Sequence, residues 1–259
     1  MKCPANSTWG FLSIFLMSLL GILPLSCAPG QASEVHRAQL HLQIGTALLV
    51  KGNYPGALQE LLTAERLDKR NPVIQNNLAL AYFVRQKYAE AEEHIQAALA
   101  SSPNYTDARN NLGRVYIETG RYDKAIEVLK LANEDLTYPY PDKTLTNLGI
   151  AYFYKGKFAV ARDYLKKSLG LKRDNCVSFN FYGRSLFELS EFTLAAETFD
   201  QAINLCKPSS FDEPHYFGAL SYYKIGDKPR AIARLEELVS LYPSGKYYSQ
   251  AKKMLELIR

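Results

Sequence analysis

The sequence from residue 111 to residue 125 reads NLGRVYIETGRYDKA. A small residue, Gly113, is followed three positions later by Tyr116, and after Gly120 come an aromatic residue and then Ala125. Apolar residues spaced three and four positions apart on either side of Gly120 predict two helices. A glycine between them predicts a turn with a positive φ. This stretch therefore predicts a helix-turn-helix hairpin.

The same cluster recurs along the chain with a nearly fixed period. Its alanine anchors step by 34, 34, 36, 34 and 36 residues. A helix-turn-helix unit of 34 residues with these side chains is the signature of the tetratricopeptide repeat (TPR). The small residue of each first helix is expected where the partner helix crosses, because a side chain there would hold the two backbones apart. The anchors are Ala57, Ala91, Ala125, Ala161, Ala195 and Ala231.

This period predicts an all-α fold, a right-handed superhelical TPR solenoid of six helix-turn-helix repeats plus a C-terminal capping helix. The capping helix is predicted at residues 246–259, with Tyr247, Ala251, Met254 and Leu257 facing inward. The repeats are predicted at residues 38–71, 72–105, 106–141, 142–175, 176–211 and 212–245.

Two steps of 36 residues place two-residue insertions between repeats. The first lies in residues 136–142, which read LTYPYPD. Two prolines with tyrosines between them cannot continue a helix, so this segment is predicted to form a rigid, exposed elbow. The second insertion lies around residues 207–211. Either insertion could be a spacer that adjusts the superhelical pitch, or a contact loop.

The N-terminal segment is predicted to be a targeting signal. Lys2 is the only charge before Glu34, and an apolar run follows from residue 9 to residue 25. A small residue before Cys27 resembles the bacterial lipobox, so residues 1–26 are predicted to be a lipoprotein signal peptide and Cys27 the lipidated residue. Residues 27–37 are then a tether. Two alternatives stay open: ordinary signal cleavage, which would release a soluble secreted protein, and an uncleaved membrane anchor.

Composition and charge exclude several classes of function. Of the 259 residues, 47% are hydrophobic and 22% are charged, which predicts a packed chain and not a disordered one. The net charge of +5 arises from 31 basic and 26 acidic residues, too even a balance for a nucleic-acid-binding surface. The four histidines have no metal-site spacing. We therefore predict no enzyme activity, no cofactor, no metal, no nucleic acid and no small-molecule substrate.

Cys176 and Cys206 flank the fifth repeat. Cys176 opens its first predicted helix and Cys206 ends its second, and those two ends are neighbours in an antiparallel hairpin. In an exported chain a disulfide is expected there, with two buried free thiols as the alternative.

Function is predicted to reside on the concave face, which the first helix of each repeat forms. Amide side chains there would bond a peptide backbone, and apolar pockets would take alternate side chains. Arg114 and Arg184 are the strongest candidates, because an inward arginine needs an anionic or carbonyl partner. The alternative for each asparagine is a hydrogen bond between helices. The predicted peptide-binding groove comprises Leu42, Asn76, Leu80, Phe83, Asn110, Arg114, Ile117, Ile150, Phe153, Tyr154, Asn180, Arg184, Phe187, Tyr216 and Tyr223.

A lipobox-like signal, six TPRs and a cysteine pair around the fifth repeat together resemble the type IV pilus pilotin family of PilF/PilW/Tgl-type lipoproteins. The resemblance covers essentially the full chain. The motifs that carry it are NLG at 111–113, GRY at 120–122, LTYP at 136–139 and TNLG at 146–149.

The resemblance implies a non-enzymatic lipoprotein, anchored on the periplasmic face of the outer membrane, that takes part in pilus biogenesis and pilus-driven motility. Its implied partner is the outer-membrane secretin, which it would help to localise and to form multimers. Ala28 resembles an outer-membrane sorting signal. Two other hypotheses remain. One is a general periplasmic TPR adaptor lipoprotein that docks envelope or peptidoglycan enzymes. The other is a subunit of an envelope complex, held through its convex face.

Overall fold

The computed structural model describes residues 29–206 and 212–258. Across these residues the chain forms thirteen α-helices and no strand. The helices are α1 (Pro29–Val50), α2 (Tyr54–Leu67), α3 (Pro72–Val84), α4 (Tyr88–Ser101), α5 (Thr106–Glu118), α6 (Tyr122–Asn133), α7 (Pro141–Tyr154), α8 (Phe158–Leu171), α9 (Cys176–Glu188), α10 (Phe192–Leu205), α11 (Glu213–Lys224), α12 (Lys228–Leu241) and α13 (Tyr248–Ile258).

Successive helices pack as hairpins, and the first helices of neighbouring hairpins also touch each other. Each predicted repeat holds one hairpin, and α13 follows the sixth as a cap. This confirms the predicted all-α TPR solenoid. The apolar core runs between the two layers of helices, with alanine at the crossing points of each hairpin.

The small residues in the first helices lie at very close helix crossings. A Cβ atom added to Gly113 would lie 2.4 Å from Cγ of Leu129, and one added to Gly149 would lie 2.5 Å from Cγ of Leu165. Both leucines are fully buried. Only a hydrogen atom fits in that space, so glycine is required there despite its low helix propensity.

In the turn inside each hairpin, one residue has a left-handed backbone conformation. Glycine supplies it in four repeats, at Gly52, Gly120, Gly156 and Gly226, as predicted. In the second and fifth repeats the same conformation falls on Gln86 (φ 59°) and Ser190 (φ 61°). A residue with a Cβ atom is disfavoured there by about 1–2 kcal/mol, so these two turns are strained.

Replacing Gln86 or Ser190 with glycine is therefore expected to stabilise the protein. We expect each variant to raise the free energy of unfolding by about 0.5–1 kcal/mol, since the relief of strain exceeds the entropy that glycine loses on folding. Urea denaturation of the full chain measures this. The matched control, Gly120→Gln, should lower the free energy of unfolding by a similar amount. Glycine variants less stable than the parent would contradict this account of the turns.

The N-terminal helix is longer than predicted. Residues 29–37 belong to α1, whereas the sequence indicated an irregular tether there. Beyond Gly30 the segment has no helix breaker, and the buried residues Ala38 and Leu42 anchor a helix that continues towards the N-terminus. Residues 1–28, including the predicted signal peptide and Cys27, lie outside the described residues.

The capping helix α13 buries a slightly different face from the predicted one. Ala251, Leu255 and Ile258 are buried, and Met254 packs partly against them. Leu257 is 84% exposed, so its predicted inward orientation was wrong. Leu257 lies six positions from Ala251, which is about 120° away around the helix axis. It therefore lies outside the buried face, which is formed by residues spaced three and four positions apart.

Cys176 begins α9 and Cys206 follows α10. The structure joins them in a disulfide with a Cα–Cα distance of 5.7 Å. The bond closes the fifth hairpin at the end opposite its turn. The second insertion, residues 207–211, lies outside the described residues.

Candidate peptide-binding groove

A cavity of about 630 Å³ lies along the first helices of the middle repeats, between α3, α5, α7 and the beginning of α9. Amide, aromatic and aliphatic side chains line its walls, where Arg114 and Lys143 bring positive charge and Asp107 and Glu118 bring negative charge. Eight of the predicted groove residues line it: Asn76, Leu80, Phe83, Asn110, Arg114, Ile117, Ile150 and Tyr154.

Two predicted groove residues are core residues. Leu42 is 5% exposed and packs against Leu61 and Ile74. Phe153 is 6% exposed and packs edge-on against Phe158 and other rings. Both therefore have little surface left for a ligand. The remaining predicted residues lie on α9 and α11, outside the cavity, and are Asn180, Arg184, Phe187, Tyr216 and Tyr223.

The asparagines of the cavity form a ladder between successive first helices. Asn111 Nδ2 donates to Asn76 Oδ1 at 2.9 Å, which joins α5 to α3. Asn147 Nδ2 donates to Asn110 Oδ1 at 3.0 Å, which joins α7 to α5. Asn76 and Asn110 are only 4% and 5% exposed, so they hold the helices together. This agrees with the alternative prediction, in which each asparagine forms a hydrogen bond between helices. Asn111 and Asn147 are more exposed and present amide groups to the cavity.

Arg114 is the main cation of the cavity. Its guanidinium lies 4.4 Å from the centre of the Phe83 ring, a cation–π contact. Its Nη1 atom lies 3.4 Å from Asn111 Oδ1, a long hydrogen bond. Burial lowers the pKa of Arg114, because desolvation disfavours the charged form, and the negative charge of Glu118 opposes this shift. Within the part of the chain that the structure describes, Arg114 forms no ion pair.

Arg184 has a very different environment from Arg114. Its Nη1 atom lies 3.1 Å from Oε1 of Glu213, and both side chains are largely buried. The guanidinium also contacts three phenylalanine rings, the nearest being Phe153 at 4.5 Å. The predicted need of Arg184 for an anionic partner is thus met inside the protein, and Arg184 has a structural role.

The elbow between α6 and α7 contributes to the cavity wall. Tyr138 is 8% exposed, in contrast to the exposed position predicted for this segment, whereas Leu136 is 96% exposed. The Tyr138 hydroxyl donates to Asp107 at 2.7 Å, which allows the ring to fold inward with its polar end satisfied. Burial raises the pKa of Tyr138, and it raises the pKa of Tyr105 to about 12. Both phenols are therefore neutral at neutral pH.

Sequence reasoning missed several residues of the cavity wall. Asn111, Asn147 and Phe181 lie two positions before the small residue of their helix, and all three line the cavity. Lys143 and Val177, near the beginning of α7 and α9, line it as well. The resemblance motifs NLG and TNLG already contained the two asparagines, so the signal was present in the sequence.

Among residues 29–206 and 212–258, no helix combines the length and the apolarity that a membrane span needs. Over the same residues, no group of histidine, cysteine, aspartate and glutamate side chains has a metal-binding arrangement.

Comparison with known proteins places the repeat in a family. Family models of the tetratricopeptide repeat match residues 42–106, 82–137, 143–174 and 219–245, which together are more than half of the chain. The type IV pilus assembly protein PilF of Pseudomonas aeruginosa is 31% identical over 134 residues, or 52% of this chain and 53% of PilF. The match thus spans about half the length of that relative.

Solved structures of two pilus proteins share the fold. The structure of Pseudomonas aeruginosa PilF has a TM-score of 0.73 at 24% identity, and the match covers 87% of this chain and 99% of that one. The structure of PilW, described as a widely conserved type IV pilus biogenesis factor, has a TM-score of 0.75 at 20% identity and covers 83% and 98%. The chain belongs to the tetratricopeptide-repeat family, and among its members it is similar to the pilus biogenesis proteins PilF and PilW.

Proposed function

We propose that this chain is a non-enzymatic, lipid-anchored outer-membrane protein of type IV pilus biogenesis. In this role it is a pilotin: its TPR scaffold binds a segment of the outer-membrane secretin and promotes the localisation and multimer assembly of that protein. The observation that carries the proposal is the open cavity of about 630 Å³ along α3, α5, α7 and α9. The similarity to PilF and PilW supports the choice of the pilus pathway.

The chemistry of the cavity suits a protein segment. Asn111 and Asn147 offer amide donors and acceptors to a peptide backbone. Leu80, Ile150 and Val177 offer apolar surface between those amides. Alternation of polar and apolar contacts is how grooves recognise peptides, with backbone bonds giving affinity and pockets giving specificity.

Hydrogen bonds between the first helices hold the cavity walls together, which favours binding. The hydrogen bonds between Asn76 and Asn111 and between Asn110 and Asn147 fix the spacing of α3, α5 and α7. A groove held in its binding shape loses little conformational entropy when a ligand enters. The solenoid therefore acts as a preformed cradle for an apolar secretin segment until the secretin subunits pair with each other.

The proposed lipid anchor places this cradle close to the membrane. Cys27 would carry the acyl chains, and α1 begins at Pro29, two residues later. Residues 29–37 rise only about 1.5 Å each as a helix, or about 14 Å in total, whereas an extended tether would reach about 30 Å. The solenoid would thus work within a few nanometres of the bilayer. Two or more acyl chains hold such a protein on a membrane.

The experiment is deletion of the gene, followed by analysis of heat-stable secretin multimers in outer-membrane fractions. We expect the multimers to disappear and to return with the parent chain. Cys27→Ser tests the anchor: acyl labelling should be lost and the protein should leave the membrane fraction. Unchanged multimers in the deletion strain would refute the proposed pilotin role.

A further inference from the structure

The chain contains a second copy of the Arg114 environment, displaced by 70 residues. Phe83, Asn110 and Arg114 correspond to Phe153, Asn180 and Arg184. In both copies a step of 36 residues separates the repeat that holds the arginine from the next repeat. The guanidinium lies 4.4 Å from the ring centre in the first copy and 4.5 Å in the second.

The second copy shows which chemical group the arginine and the asparagine bind. Glu213 Oε1 receives Arg184 Nη1 at 3.1 Å, and Glu213 Oε2 receives Asn180 Nδ2 at 2.6 Å. The carboxylate therefore bridges the arginine and the asparagine. Side-chain exposure is 18% for Arg184 and 15% for Glu213. An arginine on a phenylalanine ring, with an asparagine one turn earlier, thus makes a carboxylate site.

The first copy has the same arginine and asparagine but lacks an acid at the position of Glu213. Asp107 and Glu118 line the same cavity, and within the described residues neither forms an ion pair with Arg114. The position that corresponds to Glu213 is occupied by Lys143, which lines the same cavity as Arg114. A second positive charge thus stands where the other copy supplies the negative one. The rings that close the second copy, Phe181 and Phe217, are replaced by Asn111 and Asn147. The first copy is therefore more polar, and it is open, since it forms part of the large cavity.

We propose that the cavity at Arg114 binds the side-chain carboxylate of an aspartate or glutamate in the bound protein segment, in the place that Glu213 takes beside Arg184. The inference rests on the proposed function to the extent that the ligand is a protein segment. It adds the chemistry that selects this segment: an acidic residue flanked by apolar ones. Arg114 supplies the ion pair, Lys143 adds positive charge, and Leu80 and Ile150 receive the neighbouring side chains.

The first test introduces an acidic side chain into the site by substitution. Lys143→Glu places an acid at the position of Glu213, and Lys143→Gln is the neutral control. We expect the midpoint of thermal unfolding of Lys143→Glu to exceed that of Lys143→Gln by about 2–4 °C, because an ion pair with Arg114 forms. The difference should become smaller when both variants also carry Arg114→Gln, because only the favourable effect of an acid in the first turn of α7 then remains. Equal midpoints for the two variants would overturn the correspondence between the two copies.

The second test uses a displayed library of random 12-residue peptides whose C-termini are fused to the carrier, so only side chains offer carboxylates. Peptides selected on the parent chain should be enriched in aspartate or glutamate at one aligned position by at least about fivefold. Selection on Arg114→Gln or on Lys143→Glu should lose that enrichment. Arg109→Gln, on the same helix but outside the cavity, should keep it. A consensus without an acid, or no binders at all, would overturn the inference.

These results separate the inference from the proposed function. If the acidic consensus fails while secretin multimers still depend on the protein, only the carboxylate site is wrong. If the consensus appears while the multimers do not depend on the protein, the carboxylate site stands and the pilotin role is wrong.

Discussion

Replacing Phe199 with alanine is expected to lower the free energy of unfolding by about 3–5 kcal/mol. Phe199 is fully buried in α10 and is among the largest such side chains of the described residues. Its ring fills the space over Gly183, where an added Cβ atom would lie 2.7 Å from Cε1, and its Cβ atom lies close to Gly218 of the next hairpin. Neither glycine has a side chain that could move in to fill the cavity that alanine leaves.

Urea denaturation followed by circular dichroism measures this loss. Phe192→Ala is the matched control, because Phe192 is the first residue of the same helix and is only half-buried. Its loss should be about 1–2 kcal/mol, in proportion to the smaller area removed from water. If the two variants lost equal stability, the fifth hairpin would not be packed around Phe199.

Replacing Glu213 with glutamine is expected to lower the free energy of unfolding by about 3 kcal/mol. Glutamine keeps the shape of the side chain but removes the charge that faces Arg184, and the guanidinium is then left among three phenylalanine rings without an anion. Glu213 also accepts the Tyr247 hydroxyl at 3.0 Å, so the same substitution loosens the contact of α11 with the residues that lead into α13.

The control for Glu213 is Glu191→Gln. Glu191 pairs with Arg162 at 2.8 Å, but their side chains are 39% and 31% exposed. A pair in contact with water contributes about 0–1 kcal/mol, so this variant should lose less than 1 kcal/mol. Equal losses in the two glutamine variants would show that burial does not strengthen the Arg184–Glu213 pair. The same measurements would weaken the use of that pair as a template for Arg114.

Much of the fold could be predicted from the sequence because the same packing and turn requirements recur in each of the six repeats. Gly113 and Gly149 are required by helix crossings with no room for a Cβ atom, and Gly120 by a turn with a positive φ. Such local requirements appear directly in the residue types. The pairing of Cys176 with Cys206 could be predicted for a similar reason, since the hairpin brings its two open ends together.

The candidate site was only partly predictable, because a groove residue and an interface residue differ by one position along a helix. The side chains three positions before each small residue pack between successive first helices. Asn76 and Asn110 meet that requirement by hydrogen bonding, and Leu42 by apolar packing. The next position, occupied by Asn111 and Asn147, faces the cavity. About 100° of helix rotation thus separates structural residues from binding residues.

Other differences arise from contacts between distant residues. Tyr138 turns inward because its hydroxyl meets Asp107, 31 residues earlier in the chain. The exposed Leu136, in the same segment, has no such partner among the described residues. The contrast between Arg114 and Arg184 likewise depends on the residue 29 positions later, lysine in one case and glutamate in the other. A local sequence pattern reveals neither contact, whereas a comparison of the two copies reveals the difference between Arg114 and Arg184.

Site-specific photocrosslinking in cells tests most directly whether the groove of first helices holds the secretin. A photoreactive phenylalanine is placed at Tyr154, which is 46% exposed and lines the cavity, or at Leu131 on α6, which is 44% exposed and does not line it. The account predicts a crosslink to the secretin from position 154 and none from position 131. A crosslink to the secretin from position 131 alone, or to peptidoglycan enzymes from position 154 without the secretin, would contradict it.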